Sequence, residues 1–366
     1  VFPPPPNTAT LGYIETRYSI ADMSLNNGLG SVVQRDILAC SDTLFINQIT
    51  ATRHGNGRDW WILIPHYHDS VYYRFLLDPS GVSLHGKQEM GLVHMGGLGQ
   101  SCFSPSGEWY ARFNWHGLTD SSYSTIDLHQ FDRCSGILGP RISRTYNLDN
   151  PESGKPGGVA FSPNSRFLYV SRWDTIFQYD LHETDIVASE TVVAVYDGFT
   201  AEQGLPFPTR FYSMLLGPDN RIYCCVANYS SQYLHVIESP DLKGVACDVR
   251  QHAVELPTFN IFLVPNLPYY RLYDWDGSPC DTLGITGPPL SARPEVRRLQ
   301  ARVYPNPASG AARIELSEPA VGQCRLRLHN LTGQLVRAEV LAAGASVFDL
   351  SVGDLHSGHY FLHLTD

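Results

Sequence analysis

The sequence predicts an all-β chain, a β-propeller followed by a small immunoglobulin-like β-sandwich. Three observations carry this. A strand–turn–strand unit recurs along the chain, the composition favours strands over helices, and the last stretch changes to short alternating strands of another character. Of 366 residues, 31 are Gly and 25 Pro, which is rich in turn punctuation, while Tyr 20, Phe 16 and Trp 6 are strand formers. Charged residues are 17% of the chain, against ~25% in an average globular protein. A helical bundle, a coiled coil and a disordered scaffold are excluded on these grounds.

The repeat is read from four turns: RHGNGRDWWILI (Arg53–Ile64), FSPSGEWYARF (Phe103–Phe113), FSPNSRFLYV (Phe161–Val170) and LGPDNRIYCCV (Leu216–Val226). With Gly55, Pro105, Pro163 and Pro218 as equivalents, the spacings are 50, 58 and 55 residues. Each turn joins two apolar runs through Gly, Pro, Asn, Asp or Ser, the chemistry of a hairpin. A third strand follows each hairpin, at Ser70–Asp78, Ser124–Asp132, Thr175–Leu181 and Tyr233–Ser239. Fourth strands are read at Gly139–Asn147, Thr191–Asp197 and Arg250–Pro257. Four antiparallel strands at this period describe a propeller blade.

An earlier unit is visible in Gly12–Leu25 and Ser31–Leu38, separated by NNGLG, so five blade-like repeats are expected, the first cut near its innermost strand. Asn260–Asn266 is expected to supply a closing strand, since an open ring leaves unpaired edges. The propeller is therefore placed at 1–275. Residues 276–300, rich in Gly, Pro and charge, read as a linker. Six short strands with period-2 alternation follow over 301–366, the pattern of a sandwich.

The C-terminal segment resembles the type A sorting domain of the type 9 secretion system. The motifs are YPNPASG (Tyr304–Gly310), LTGQLV (Leu331–Val336) and DLSVGDLHSGHYFLHL (Asp349–Leu364). They assign motif roles to Tyr304, Pro305, Asn306, Pro307, Gly310, Leu331, Thr332, Gly333, Gly358 and Tyr360. The resemblance implies export to the outer-membrane surface or medium, with the translocon, shuttle and sortase as partners. It also implies a further strand and a basic–apolar tail beyond Asp366. Residues 1–290 resemble the uncharacterised propeller-like proteins found upstream of such domains, through Tyr18–Gly28, Asn56–Pro65, Gly157–Ser171 and Asp276–Gly284. That resemblance implies more blade sequence before Val1, and a parent ring of seven. It brings no activity with it.

The formal net charge is −10. Residues 291–366 hold 8 basic and 7 acidic residues, leaving 18 and 29 in 1–290, so the acidity sits in the propeller. Nucleic acid is disfavoured as a partner, because phosphate binding needs a basic footprint. No apolar run reaches the ~18 residues of a membrane span. Among eight cysteines, Cys102, Cys224 and Cys225 lie in apolar stretches as buried thiols. Cys134, Cys247 and Cys280 lie in turn-like sequence and are the disulfide candidates of an exported chain. Cys247 with Cys280 is the expected pair, bracketing the last propeller strands.

Motifs of chemistry are sparse. His66, His68 and Asp69 in PHYHD have alternating spacing but no third ligand in sequence, so a surface turn is expected. Asp274–Asp281 has part of a calcium loop and lacks its closing Glu. Trp60 and Trp61 point to opposite faces of a strand, so packing between blades is expected of the pair. No catalytic, metal or cofactor residue is assigned. The function expected is a non-enzymatic, exported binding or assembly protein, its propeller a platform for a protein or carbohydrate ligand, for adhesion or for self-assembly. The alternatives are an extracellular hydrolase or lyase on glycans, with residues converging on the channel, and a structural subunit of a surface filament.

Overall fold

The structure is a computed structural model. It describes residues 12–13, 15–45, 48–67, 69–91, 99–116, 123–146, 157–202, 206–227, 231–260, 264–283, 301–316, 319, 324–330, 335–342 and 344–365. Among them are strands and three short 3-10 turns, with no α-helix. The chain divides into two compact units, 1–288 and 289–366, each described by itself below.

Unit one holds four antiparallel meander sheets, blades I to IV. Blade I runs Thr50–Arg53, Trp60–Pro65, Val71–Asp78 and Gly81–Glu89. Blade II runs Gly99–Phe103, Trp109–His116 and Tyr123–Asp132, the last pairing with both Ile137–Leu138 and Ile142–Tyr146. Blade III runs Gly157–Phe161, Phe167–Arg172, Thr175–Asp180 and Thr191–Val195. Blade IV runs Phe211–Leu216, Ile222–Val226, Ser231–Ile237 and Val249–Asn260. The first strands of successive blades lie against one another, the radial order of a propeller. The earliest expected repeat is a two-stranded ribbon, Thr16–Asp22 with Ser31–Cys40.

The repeated turns share one local geometry. Gly57, Gly107, Ser165 and Asn220, each two residues past its template Gly or Pro, all have positive φ, at 76°, 72°, 63° and 66°. Each donates its N–H three residues back, to His54, Ser104, Ser162 and Gly217, at 2.8–3.1 Å. Gly, Ser and Asn are small or self-hydrogen-bonding enough to enter the left-handed region there.

Strand alternation then assigns side chains to neighbouring blades. In Phe167–Arg172, Leu168 and Val170 face the cluster shared with blade II, including Phe113, Ile126 and Leu128. Phe167 and Tyr169 face the cluster shared with blade IV, including Phe211, Met214 and Cys224. Between blades I and II lie Trp61, Leu63, Tyr72, Tyr110 and Phe131. Each such fully buried side chain contributes about 1.5–3 kcal/mol by leaving water.

A tail after blade IV returns to blades I and II. Val264 N–H donates to Ser213 Oγ (3.3 Å), Asn266 Nδ2 to Ile49 O (2.6 Å) and Trp275 N–H to Gly55 O (2.8 Å). The buried Arg133 guanidinium donates to Tyr273 O. A disulfide between Cys134 and Cys280 fixes the end of the tail. Of the closing strand expected at Asn260–Asn266, residues 261–263 lie outside the described residues, and 264–266 attach by single hydrogen bonds.

The expected Cys247–Cys280 pair is corrected. Cys247 is a buried free thiol packed in the blade III–IV cluster, while Cys280 is carried by the tail to blade II. Sequence proximity favoured Cys247, but the tail's return brings Cys134 near across a separation of 146 residues. Residues 276–283, read as the start of the linker, are thereby pinned to blade II.

Unit two has two three-stranded sheets. One orders Ala301–Tyr304, Ala311–Leu316 and Val347–Ser351; the other orders Leu335–Leu341, Cys324–Asn330 and Tyr360–Thr365. Ala312, Ile314 and Leu316 alternate inward, and Ile314 and Leu316 join Leu326, Leu328 and Leu350 in the core. Arg313 and Asp349, register partners on the outer face, pair at 2.8 Å.

Candidate functional site

In unit two, the sorting-motif residues gather where two turns meet. Tyr304 ends its strand, 40% exposed, with its hydroxyl 3.3 Å from Glu315 Oε2. Pro305, Asn306 and Pro307 follow in an exposed turn that ends at Gly310, whose carbonyl accepts the Val352 N–H at 2.9 Å. That bond joins YPNPASG to the Asp349–Leu364 motif, where Arg337 from the facing sheet donates to Ser351 O and to Asp354 Oδ2 (2.5 Å). Gly358 is exposed, and Tyr360 packs on the core while its hydroxyl donates to His356 O at 2.7 Å. Leu331, Thr332 and Gly333 lie outside the described residues. The described part of the motif therefore builds one end of a sandwich from hydrogen-bonded turns.

In unit one, the polar side chains at the first strands bind neighbouring blades. Gln100 Nε2 donates to Met214 O (2.6 Å), and its Oε1 accepts the N–H groups of Met214 (3.0 Å) and Val159 (3.2 Å). Ser101 Oγ donates to Gln48 O (2.7 Å), and Gln48 Oε1 accepts from Arg112 Nε at 2.5 Å. Gln48 Nε2 reaches Asn114 Oδ1 (3.2 Å), and Asn114 lies 2.9 Å from His116 Nε2. Arg112, Asn114 and His116 follow Tyr110 along one face of their strand, so the face toward blade I passes from the apolar cluster at Tyr110 to a buried polar network, while the face toward blade III is apolar. Beside this network, a cleft of about 270 Å³ is lined by apolar side chains of blades II to IV and by tail residues 266–271.

A second cluster joins the ribbon to blade I. Asp42 accepts from the Tyr73 hydroxyl and lies 3.0 Å from His66 Nε2, and Lys87 donates to the same Tyr73 hydroxyl at 2.5 Å. Partial burial pushes the Asp42 carboxyl up, but the bonds from Tyr73, His66 and the Thr43 N–H outweigh it and hold it at about 2. Asp69 is 3.7 Å from His66 Nδ1, and His68 lies outside the described residues. Among the described residues no His, Cys, Asp and Glu cluster fits a metal ion. Asp274–Asp281 is the turn that carries Cys280. Trp61 is buried between blades, its Nε1 donating to Arg133 O (2.8 Å), while Trp60 lies under Arg53 with 4.7 Å from guanidinium to ring centroid.

Burial pushes the Cys102 and Cys224 thiols up, and the Cys225 thiol up to about 11, which keeps them protonated and inert. Gln48, Gln100 and Arg112 were not singled out by sequence. Gln100 and Arg112 are polar residues at strand positions, Arg112 between apolar neighbours, and Gln48 precedes the first strand of blade I, signals too general to mark a network.

The fold and these turns define a class, a β-propeller joined to an immunoglobulin-like export domain. Residues 302–366 match the family described as the secretion system C-terminal sorting domain. That segment is a type 9 secretion sorting domain, and it directs the chain to the cell surface or outer membrane. No curated protein matches the chain. Among solved structures, it is similar to a protein from Lactobacillus plantarum, with 12% identity, a TM-score of 0.42 and coverage of 66% of each chain. It is also similar to a candidate 6-phosphogluconolactonase from Bacteroides fragilis, with 12% identity, a TM-score of 0.39 and coverage of 66% of this chain and 65% of that one. The chain thus spans just under two thirds of each. It is the blade order and first-strand packing that define the propeller here. Among the described residues no helix is long and apolar enough to cross a membrane.

Proposed function

We propose that this type 9-secreted chain is a non-enzymatic binding or assembly protein whose blades form a rigid platform for a surface ligand. The observation that supports it is the Gln100 amide, which ties the first strands of blades II, III and IV together. Polar groups facing that end serve blade-to-blade cohesion, and the loops between strands are left to make contacts. The acidity of residues 1–290 favours neutral or basic ligands.

The test uses the full chain purified after secretion, presented to glycan and surface-protein arrays alongside a panel of ester and glycan substrates. Saturable binding without turnover is the expected result. Turnover that is lost when Gln48 or Arg112 is substituted overturns the reading in favour of a propeller enzyme.

A further inference from the structure

Resting on the platform reading, we propose that a groove at the edge of blade II binds a neutral oligosaccharide, with Trp275 as the stacking surface for a sugar ring. Four of its side chains share one sheet face by register. Trp109 lies opposite Gln130, Asp132 is two residues beyond Gln130, and Ile137 lies opposite Asp132. With Glu108 and Trp275 they line an open groove of about 560 Å³, within the ~300–1,000 Å³ typical of small-ligand sites.

Trp275 is 39% exposed, yet its backbone is fixed. Its N–H donates to Gly55 O (2.8 Å), and its carbonyl accepts the Ser278 N–H (3.0 Å). Five residues on, Cys280 is bonded to Cys134, which lies between Asp132 and Ser135 of the opposite wall. The disulfide thus joins the two walls of the groove. Gly55 is required beneath it, because a Cβ there would meet Cys280 Sγ at 2.5 Å.

The chemistry matches a saccharide. An indole presents an apolar face to the C–H face of a pyranose. The exposed Gln130 and Glu108 side chains offer an amide and a carboxylate to hydroxyls at the ring's rim, and Asp132, whose oxygens accept the Cys134 N–H (2.8 Å) and the Ser135 hydroxyl (2.7 Å), adds its remaining lone pairs. The same two carboxylates repel uronates and sulfated sugars, which selects neutral chains.

The experiment titrates the full oxidised chain with cellohexaose, laminarihexaose and chitohexaose, with a galacturonate hexamer as the acidic control, by calorimetry. Binding of a neutral probe is expected, weakened about tenfold or more in Trp275→Ala and about threefold or less in Trp275→Phe. Gly139→Met is the second variant. Its Cβ would meet nothing nearer than Gln130 at 3.5 Å, so it fills the groove without forcing the backbone, and it too should weaken binding about tenfold or more. Failure of every neutral probe, preference for the acidic one, or affinity unmoved by Trp275→Ala and Gly139→Met overturns the inference. A glycan bound with these variants indifferent leaves the platform reading standing, whereas hydrolysis of the probe overturns that reading.

Discussion

Gln100 and Met214 exchange two hydrogen bonds between blades II and IV: the side-chain amide donates to the Met214 carbonyl at 2.6 Å and accepts its N–H at 3.0 Å. Both residues are buried, at 4% and 1% exposure. The same Oε1 accepts the buried Val159 N–H of blade III, so one side chain satisfies three main-chain groups. Gln100→Ala strands all three and should destabilise the propeller by about 3–5 kcal/mol. Chemical denaturation monitored by tryptophan fluorescence checks this, and a loss under about 1 kcal/mol would refute it.

Gly158 makes that exchange possible. A Cβ there would lie 2.4 Å from Gln100 Oε1 and 2.6 Å from Ser213 Cα. Gly158→Ala must push the blade IV backbone away, so a loss of about 2–3 kcal/mol is expected. Amide exchange should report the loosening first at Val159 and Met214.

The disulfide closes a long loop, between residues 146 apart in sequence. Its removal in the Cys134→Ser/Cys280→Ser double variant should cost about 2–5 kcal/mol. Non-reducing peptide mapping should recover the Cys134–Cys280 peptide and a free Cys247. A Cys247-linked peptide would contradict the structure.

His235 sets a pH dependence. Burial lowers its pKa to about 4, and its Nδ1 accepts the His252 N–H at 3.0 Å, a bond that protonation would break. The unfolded imidazole titrates near ~6.5. Between those values the unfolded chain binds the extra proton, so stability is full above pH ~6.5 and falls as pH drops toward 4, by about 3 kcal/mol. His54 and His129, lowered chiefly by burial, act with the same sign. Unfolding curves at several pH values should lose part of this slope in His235→Gln.

Export depends on the sorting domain at 302–366. A chain ending before Arg302 should accumulate in the periplasm, detected by fractionation and immunoblot of a type 9-secreting host. Appearance of the truncated chain at the surface would sink the assignment. Ile314→Ala, at a fully buried core position, should destabilise the sandwich by about 2–5 kcal/mol and reduce export in proportion to its unfolding.

What the sequence determined by itself was local. The positive-φ turn positions Gly57, Gly107, Ser165 and Asn220 and the alternation of Phe167 to Val170 depend on neighbours two to four residues away, so they are legible in order. The sorting motif is likewise a run of turn residues at fixed spacing. Only tertiary structure decided that Cys280 finds Cys134 rather than Cys247, because the tail's return across blades I and II follows from hydrogen bonds far apart in sequence. It decided, too, that Gln100 serves three blades. A glutamine in a strand reads as solvent-facing until the packing of first strands surrounds it with buried main-chain groups that its amide satisfies.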